Sequence, residues 1–376
     1  MSLFGKKNES VIGVDVGTSS IKLVELEKKS DNSVSLVTYG FVEHATRDVR
    51  GIGKEDAPTV AQTIKLICEK AGTRSFSATA ALPTYVVFTS LISLPPMTKD
   101  ELDSAIHWEA KKIIPLPLED IILDYKILSQ GKKQPAGLPF AKKEEPPNPD
   151  AEPPDYKILI TGAAKETVQV YTDIFQKSGL SLTSLETEMF ALARALVGEE
   201  PGEVMIVEVG AAVTDIIIVQ DGVPFLGRSI ETGGNALTRA IMNSLHINEK
   251  RAEQLKRDIG VTLPSGSAPT GGGGVPAILR ETLEPIIHEI RYTLNLYKAH
   301  SVTPSPTATG IVEKIILTGG SALLPNLAAT LSQSLDMRVI LGDPWAHISY
   351  PADLKPVLQA LGPKFSVAIG LAMRGA

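Results

Sequence analysis

Cysteine is almost absent from this 376-residue chain. Its single example, Cys68, excludes an internal disulfide framework and any cysteine-built zinc site, and reads as a small buried apolar residue. Six histidines are present, but no pair has a metal-ligand spacing such as HExxH. Aromatic residues make up only 5%, which does not suggest a base-stacking nucleic-acid platform. Positive charge is not in excess: 37 Lys and Arg stand against 43 Asp and Glu, a net of -6, so no nucleic-acid partner is expected. No run approaches the ~18–20 apolar residues that span a bilayer. Lys6 and Lys7 are not followed by the apolar core of a secretory signal. Ile369–Ala376 is too short for an amphipathic anchor. These absences lead to the expectation of a cytoplasmic soluble protein with no direct membrane insertion, peripheral to a membrane only through partners.

What is present is a 43% hydrophobic chain long enough for two or three domains. Val11–Val16, Ile21–Leu26, Val34–Phe41 and Ser77–Leu82 read as strands, and Thr59–Lys70 as a helix capped by Gly72. Met97–Ile114 carries the strongest helix signals. Thr98 and Glu101 form a capping box, Leu102, Ala105, Ile106, Ala110 and Ile113 make one stripe, and Pro115 and Pro117 stop it. Further on, Tyr156–Gly162 reads as a strand and Glu166–Lys177 and Glu188–Val197 as helices. Val204–Val209, Val213–Val219 and Pro224–Ile230 are strands, the last two joined by an Asp221-Gly222 turn. Helices follow at Ala236–Leu245, Glu249–Ile259 and Ile278–His300, then a strand at Lys314–Thr318 and a helix at Leu324–Leu335. Two more helices are expected at Ala352–Ala360 and Phe365–Met373. Ser129–Asp155, Val261–Pro276 and Ser301–Gly310 read as flexible spacers. The alternation of strands and helices implies an α/β protein.

The chain contains an internal echo. Val14-Asp15-Val16-Gly17, followed by Thr18-Ser19-Ser20, resembles Val207-Glu208-Val209-Gly210, followed by Ala211-Ala212-Val213-Thr214-Asp215. Each is an apolar strand with an acid two residues before a glycine, then a turn of small residues and a second β-prone run. Glycine and small residues let backbone N–H groups approach phosphate oxygens, and Thr18 and Ser19 add hydroxyl donors. Asp15 and Glu208 would repel phosphate, but they suit a magnesium ion held through its waters. Either hairpin alone is equally an ordinary β-turn. A third element, Ile316-Leu317-Thr318-Gly319-Gly320-Ser321-Ala322, runs a strand into a glycine pair and a helix, where open backbone can host an anion or a flat base. A fourth puts Glu253 and Lys256 on one helix face at i, i+3. That pair suits ribose hydroxyls and the sugar or base; the alternative is an exposed ion pair.

In this order the four pieces resemble the actin-like ATPase superfamily of actin, sugar kinases, heat-shock chaperones, FtsA and MreB. Gly13–Lys22 matches its first phosphate motif, Glu208–Asp215 its second, and Thr318–Ala322 its adenosine motif. More narrowly, Pro95–Leu102, Ala105–Ala110, Ile114–Glu119, Leu123–Tyr125, Glu188–Leu196 and Ala368–Ala372 are similar to the PilM family, cytoplasmic actin-like components of the type IV pilus platform. The resemblance covers most of the chain apart from the three spacers.

The resemblance implies two ATPase lobes, FtsA-like, enclosing ATP and Mg2+. The first lobe would comprise 1–82, 184–203 and 343–376, and the second 204–342. An inserted subdomain would span 83–183. Cofactor contacts are implied at Asp15, Gly17, Thr18, Ser19, Ser20 and Lys22 on one side. On the other they fall at Glu208, Gly210, Ala211, Ala212, Thr214, Gly233 and Gly234, with Glu253, Lys256, Gly319, Gly320 and Ser321 around the nucleoside. In the family the insert binds the N-terminal cytoplasmic peptide of the inner-membrane protein PilN, so an apolar groove is expected near Glu101–Ile114, with Trp108 in it or packed. Other pilus platform proteins or assembly ATPases are further implied partners. By comparison with MreB, Glu188 is the candidate catalytic, water-orienting acid; the alternative is an acid favoured by the helix dipole. Glu208 stands where the second motif usually has Asp, and Ala211 and Ala212 replace glycine or hydroxyl residues, so ATP binding is expected to outlast hydrolysis. A small-molecule kinase and an FtsA- or MreB-like filament protein remain as alternatives.

Overall fold

The computed structural model describes residues 10–44, 52–129, 155–261, 275–300 and 310–376. The three expected spacers fall largely outside these residues. Strands β1 (Ser10–Val16) and β2 (Ser20–Lys28) form a tight antiparallel hairpin, and β3 (Val34–Glu43) adds a third strand. Most of β1 and β2 is buried, as in a sheet covered on both faces. Helix α1 (Ala57–Ala71) crosses to β4 (Ser77–Leu82), which lies parallel to β1. Gly72 ends α1 at φ +66°, the left-handed C-cap that glycine adopts without strain. Cys68, expected to be buried, is only partly so and carries a free thiol.

β5 (Val87–Leu94), α2 (Lys99–Ile113), β6 (Ile121–Ser129) and β7 (Tyr156–Ala164) then form a compact unit of their own, Val87–Glu166. Its sheet has the order β5-β7-β6, with both outer strands antiparallel to β7. The expected capping box is present: Glu101 accepts from the Thr98 N–H at 2.9 Å. Leu102, Ile106 and Ala110 of α2 pack on Ile158 and Ile160 of β7. Sequence patterning misses β5 and β6. β5 is half-buried along most of its length, so no clean alternation marks it.

The larger unit resumes with α3 (Lys165–Ser178), β8 (Ser181–Thr187) and α4 (Glu188–Leu196). The insert expected over 83–183 is therefore shorter at both ends. Residues 167–183 belong with the larger unit, because β8, also unmarked by patterning, pairs parallel with β4.

β9 (Glu203–Val209), β10 (Thr214–Gln220) and β11 (Val223–Ile230) repeat the antiparallel meander. Helices α5 (Gly234–Leu245), α6 (Glu249–Ile259) and α7 (Val275–His300) lead to β12 (Lys314–Thr318), parallel to β9. α8 (Leu327–Leu335) and β13 (Val339–Leu341) follow. The helix expected from Leu324 is shorter, because Gly320–Leu323 form a separate 3-10 turn. β14 (Ile348–Ser349) pairs with β3, and α9 (Lys355–Gly375) closes the chain.

The two sheets have the orders β14-β3-β2-β1-β4-β8 and β11-β10-β9-β12-β13. Apart from β14, their topologies match strand for strand. Helices α4 and α9 fill the space between them: Met189 and Leu192 of α4 and Val367 and Leu371 of α9 share a core with Ile206, Ile217 and Ile316 of the second sheet. This packing demands small residues. A Cβ on Gly370 would lie 1.9 Å from the Ala191 carbonyl oxygen, and one on Gly13 would lie 2.0 Å from that of Ala368.

The two C-terminal helices expected from the sequence are a single helix running through Pro363. Proline removes one backbone donor, yet the helix continues through it with Gly362, Pro363 and Phe365 buried, so tertiary packing carries it past the break. The Pro363 carbonyl accepts from the Gly319 N–H at 3.0 Å and the Thr318 hydroxyl at 3.1 Å. Contrary to the expectation that no run reaches spanning length, Ala352–Gly375 is long and apolar enough to cross a membrane. It is a core helix by packing, with 61% of its most apolar window buried.

Candidate functional site

The echo seen in the sequence is repeated bond for bond. The Gly17 N–H donates to the Ser20 carbonyl at 3.0 Å, and the Gly210 N–H to the Val213 carbonyl at 2.9 Å. Asp15 lies directly opposite Lys22 across the first hairpin, and Glu208 opposite Asp215 across the second. Both turns border one cavity of 690 Å³, shared with Gly319, Gly320 and Ser321. Thr18, Ser19 and Ser20 line it from the first hairpin, and Ala211 from the second.

The glycine pair is locked against the second hairpin. Gly319 has φ +88°, and a Cβ there would meet Val209 backbone atoms at 2.6–2.9 Å, so only glycine fits. Ser321 donates to the Gly210 carbonyl at 3.3 Å. The turn meets the start of α5 in the same way: the N–H groups of Gly234 and Asn235 donate to the carbonyls of Gly210 at 2.9 Å and Ala211 at 2.8 Å.

Three expected residues do not border the cavity. Thr214 is fully buried and its hydroxyl donates to the Thr232 carbonyl at 2.7 Å, because strand alternation points Asp215, not Thr214, toward the cleft. Gly233 sits behind the turn, where a Cβ would lie 2.8 Å from the Gly210 and Ala211 oxygens. Ala212 is the third.

Acids gather on the floor. Carboxylate oxygens of Glu188, Glu208 and Asp215 lie within 4.8 Å of one another, a set that could hold a metal ion. The sequence pairs Glu208 with Asp15 for this role; in the structure Asp15 is bound to Lys22 Nζ at 2.7 Å. Burial, then the charges of Asp215, Glu208 and Asp15, push the Glu188 carboxyl well above its ordinary range. Burial and the same neighbouring acids raise Glu208 to about 8. Burial raises Asp215 to about 6, against a hydrogen bond from the Ser229 hydroxyl. Burial and the nearby acids also raise the Tyr85 phenol, keeping it neutral. Burial works to lower Lys22, but Asp15 and the acids beyond it outweigh that, and its pKa ends raised. Four acids therefore face one firmly charged lysine. A hard divalent cation bound by oxygen donors fits that imbalance.

On the far wall Glu253 accepts from Lys256 at 2.7 Å, from Arg257 at 2.8 Å and from the Thr238 hydroxyl at 2.6 Å. Burial opposes ionisation, but these donors prevail and lower its pKa to about 2. Lys256 is buried, not the exposed partner of a surface pair. It also donates to the Gly234 carbonyl at 3.0 Å, and burial lowers its pKa. Glu188 heads α4 and accepts from the Thr84 N–H at 3.3 Å.

Sequence reading passes over Asp215, Tyr85 and Lys364 as site residues. Asp215 was findable, since it stands five residues after its glycine, as Lys22 does. Tyr85 reaches the cleft from a short 3-10 turn that no motif marks, and Lys364 from α9 at a position between the two helices expected there.

A family model described as type IV pilus assembly protein PilM matches residues 13–140 and 144–376. Cell division protein FtsA of Neisseria meningitidis is 22% identical, aligned over 95% of this chain and 88% of its own. FtsA of Pseudomonas aeruginosa is also 22% identical, over 98% and 90%. Among solved structures, a PilM-PilN type IV pilus biogenesis complex superposes with a TM-score of 0.76 at 24% identity, covering 97% of this chain and 98% of the other. MreB 5 of Spiroplasma citri bound to AMPPNP gives 0.52 at 14% identity, covering 97% and 95%. The fold is that of the actin-like ATPases.

Proposed function

Because the chain belongs to the PilM family of type IV pilus assembly proteins, we propose that its cleft binds ATP with magnesium and that nucleotide occupancy governs a partner contact in pilus assembly. The observation that carries this reading is the single cavity bordered by Gly17, Gly210 and Gly319. The two hairpin turns offer backbone to a phosphate tail from opposite sides, and the glycine pair leaves room for the nucleoside. Glu188, Glu208 and Asp215 would hold the magnesium ion, which supplies charge neutralisation at the phosphates. Lys22 orients Asp15 and adds positive charge beside Gly17. MreB 5, solved bound to AMPPNP, supports a nucleotide in a fold of this kind.

Turnover is slow in this reading. A Glu188 carboxylate engaged in holding the metal ion is not free to take a proton from water. Binding is tested by calorimetry with ATP, ADP and Mg2+. No binding of either nucleotide would remove the reading, and sustained hydrolysis above ~1 per second would remove the claim of slow turnover.

The partner is the N-terminal cytoplasmic peptide of PilN, which would hold this chain at the inner membrane. The structural relative with a TM-score of 0.76 is itself a PilM-PilN complex, which supports PilN as the partner. Trp108 of α2 is 62% exposed, with Lys112 Nζ 3.3 Å above its ring, and Ile113 is also exposed. These side chains give the expected groove near Glu101–Ile114 an apolar anchor. A pull-down with the peptide tests the assignment independently of the nucleotide.

A further inference from the structure

We propose that Lys364 of α9 is a phosphate-binding residue of the cleft, a role that rests on the nucleotide reading above. Lys364 lines the cavity beside Gly320, where a Cβ would lie 3.9 Å from the lysine Cγ. Its backbone is pinned there. The preceding residue, Pro363, offers its carbonyl to both the Gly319 N–H and the Thr318 hydroxyl. Phe365, the next residue, is buried and packs edge-on against Phe41 of β3, with ring centroids 5.9 Å apart. Lys364 is thus fixed at its base while its ammonium reaches across to Glu43 at 3.6 Å. Glu43 lies opposite Ser20 at the edge of the first hairpin. The side chain therefore runs from the glycine pair at Gly319 and Gly320 to the edge of the first hairpin, on the border of the cavity that a phosphate tail would enter.

The quality of its ion pair separates Lys364 from Lys22, Lys256 and Arg257. Lys256 is buried and Lys22 largely so, and both are held by carboxylates at 2.7 Å. Arg257 is held at 2.8 Å by Glu253. The Lys364 pair is longer, and its partner Glu43 is 58% exposed. A pair of that kind contributes little and exchanges readily for a stronger anion. A polyphosphate is such an anion, and the floor beneath it carries more acid than base, so an additional cation improves the charge balance.

The test compares ATP with Mg2+ against adenosine, a probe without phosphate, by calorimetry on the full chain. K364M keeps the aliphatic stem and removes the charge. It should weaken ATP about 10-fold or more and leave adenosine unchanged, with K364R retaining most ATP affinity. Unchanged ATP affinity in K364M, or equal losses for both ligands, would overturn the assignment while leaving the nucleotide reading standing. Wild-type protein that binds neither ligand would overturn both. Should K364M fail to fold, Glu43→Gln, at an exposed position, frees the lysine. It should raise ATP affinity about two- to threefold, and no change there would count against the proposal.

Discussion

Lys22 and Asp215 occupy the same place in two copies of one hairpin. Each lies opposite the strand acid that precedes the turn glycine by two residues. One copy therefore holds an ion pair at 2.7 Å, while the other sets acid against acid. The topology is duplicated and the charge is not, so one side of the cleft is neutral and the other needs a cation or protons.

Removing the lysine should expose this asymmetry. Lys22→Met leaves Asp15, which is 5% exposed, without its partner. A broken buried pair costs about 3 kcal/mol. Urea denaturation should show that loss, and ATP affinity should fall with it. A change in stability below about 0.5 kcal/mol would mean the pair is not a buried one in solution.

Stability should fall with rising pH. Glu208 and Asp215 are raised to about 8 and about 6 in the folded protein, above the ordinary carboxylate range of roughly 4. The folded state thus binds more protons than the unfolded state between those limits. Unfolding free energy should decline from about pH 4 to about pH 8; below the unfolded values both states are protonated, the stability is fully present and it no longer varies with pH. Because magnesium binds the ionised form, it should raise the melting temperature more at pH 8 than at pH 5. Glu208→Gln should flatten the pH profile; an unaltered slope would argue against this origin.

Two glycine substitutions should differ sharply. Gly370→Ala drives a Cβ to 1.9 Å from the Ala191 carbonyl oxygen where α4 and α9 meet. The loss should be about 3 kcal/mol, at the upper end for overpacking. Gly320→Ala, with nothing nearer than 3.9 Å, should cost less than about 1 kcal/mol. Denaturant midpoints for the pair would reveal whether the helix crossing is as tight as the geometry indicates.

Trp108→Ala should separate binding from folding. An indole that is 62% exposed contributes little to the core, so stability should stay within about 0.5 kcal/mol of wild type. Capture of the PilN peptide should be lost. Retained capture would place the peptide elsewhere on the chain.

Much of the site could be read locally. The hairpin at Gly17, its echo at Gly210 and the Thr318–Ser321 turn are contiguous motifs, because a turn needs its glycine and small residues at fixed offsets. The strands β5, β6 and β8 were not legible in the same way. β5 and β8 lack clean alternation, while β6, which does alternate through Leu123-Asp124-Tyr125-Lys126-Ile127, is joined to its sheet only by pairing with β7. The length of α9 was hidden for a related reason. Pro363 reads locally as a stop, and only the burial of the helix around it carries the helix through.

The order of residues along the chain determined two matching turns, a glycine pair, and the residue types able to meet phosphate. These are short-range properties, set by backbone freedom and strand alternation within a few positions. Folding alone decided which charges share the floor. Glu188 comes from a helix, Glu208 and Asp215 from neighbouring strands, and Lys364 from a helix far along the chain. Their proximity, and the desolvation that lifts the acids, exist only once the two sheets close around α4 and α9.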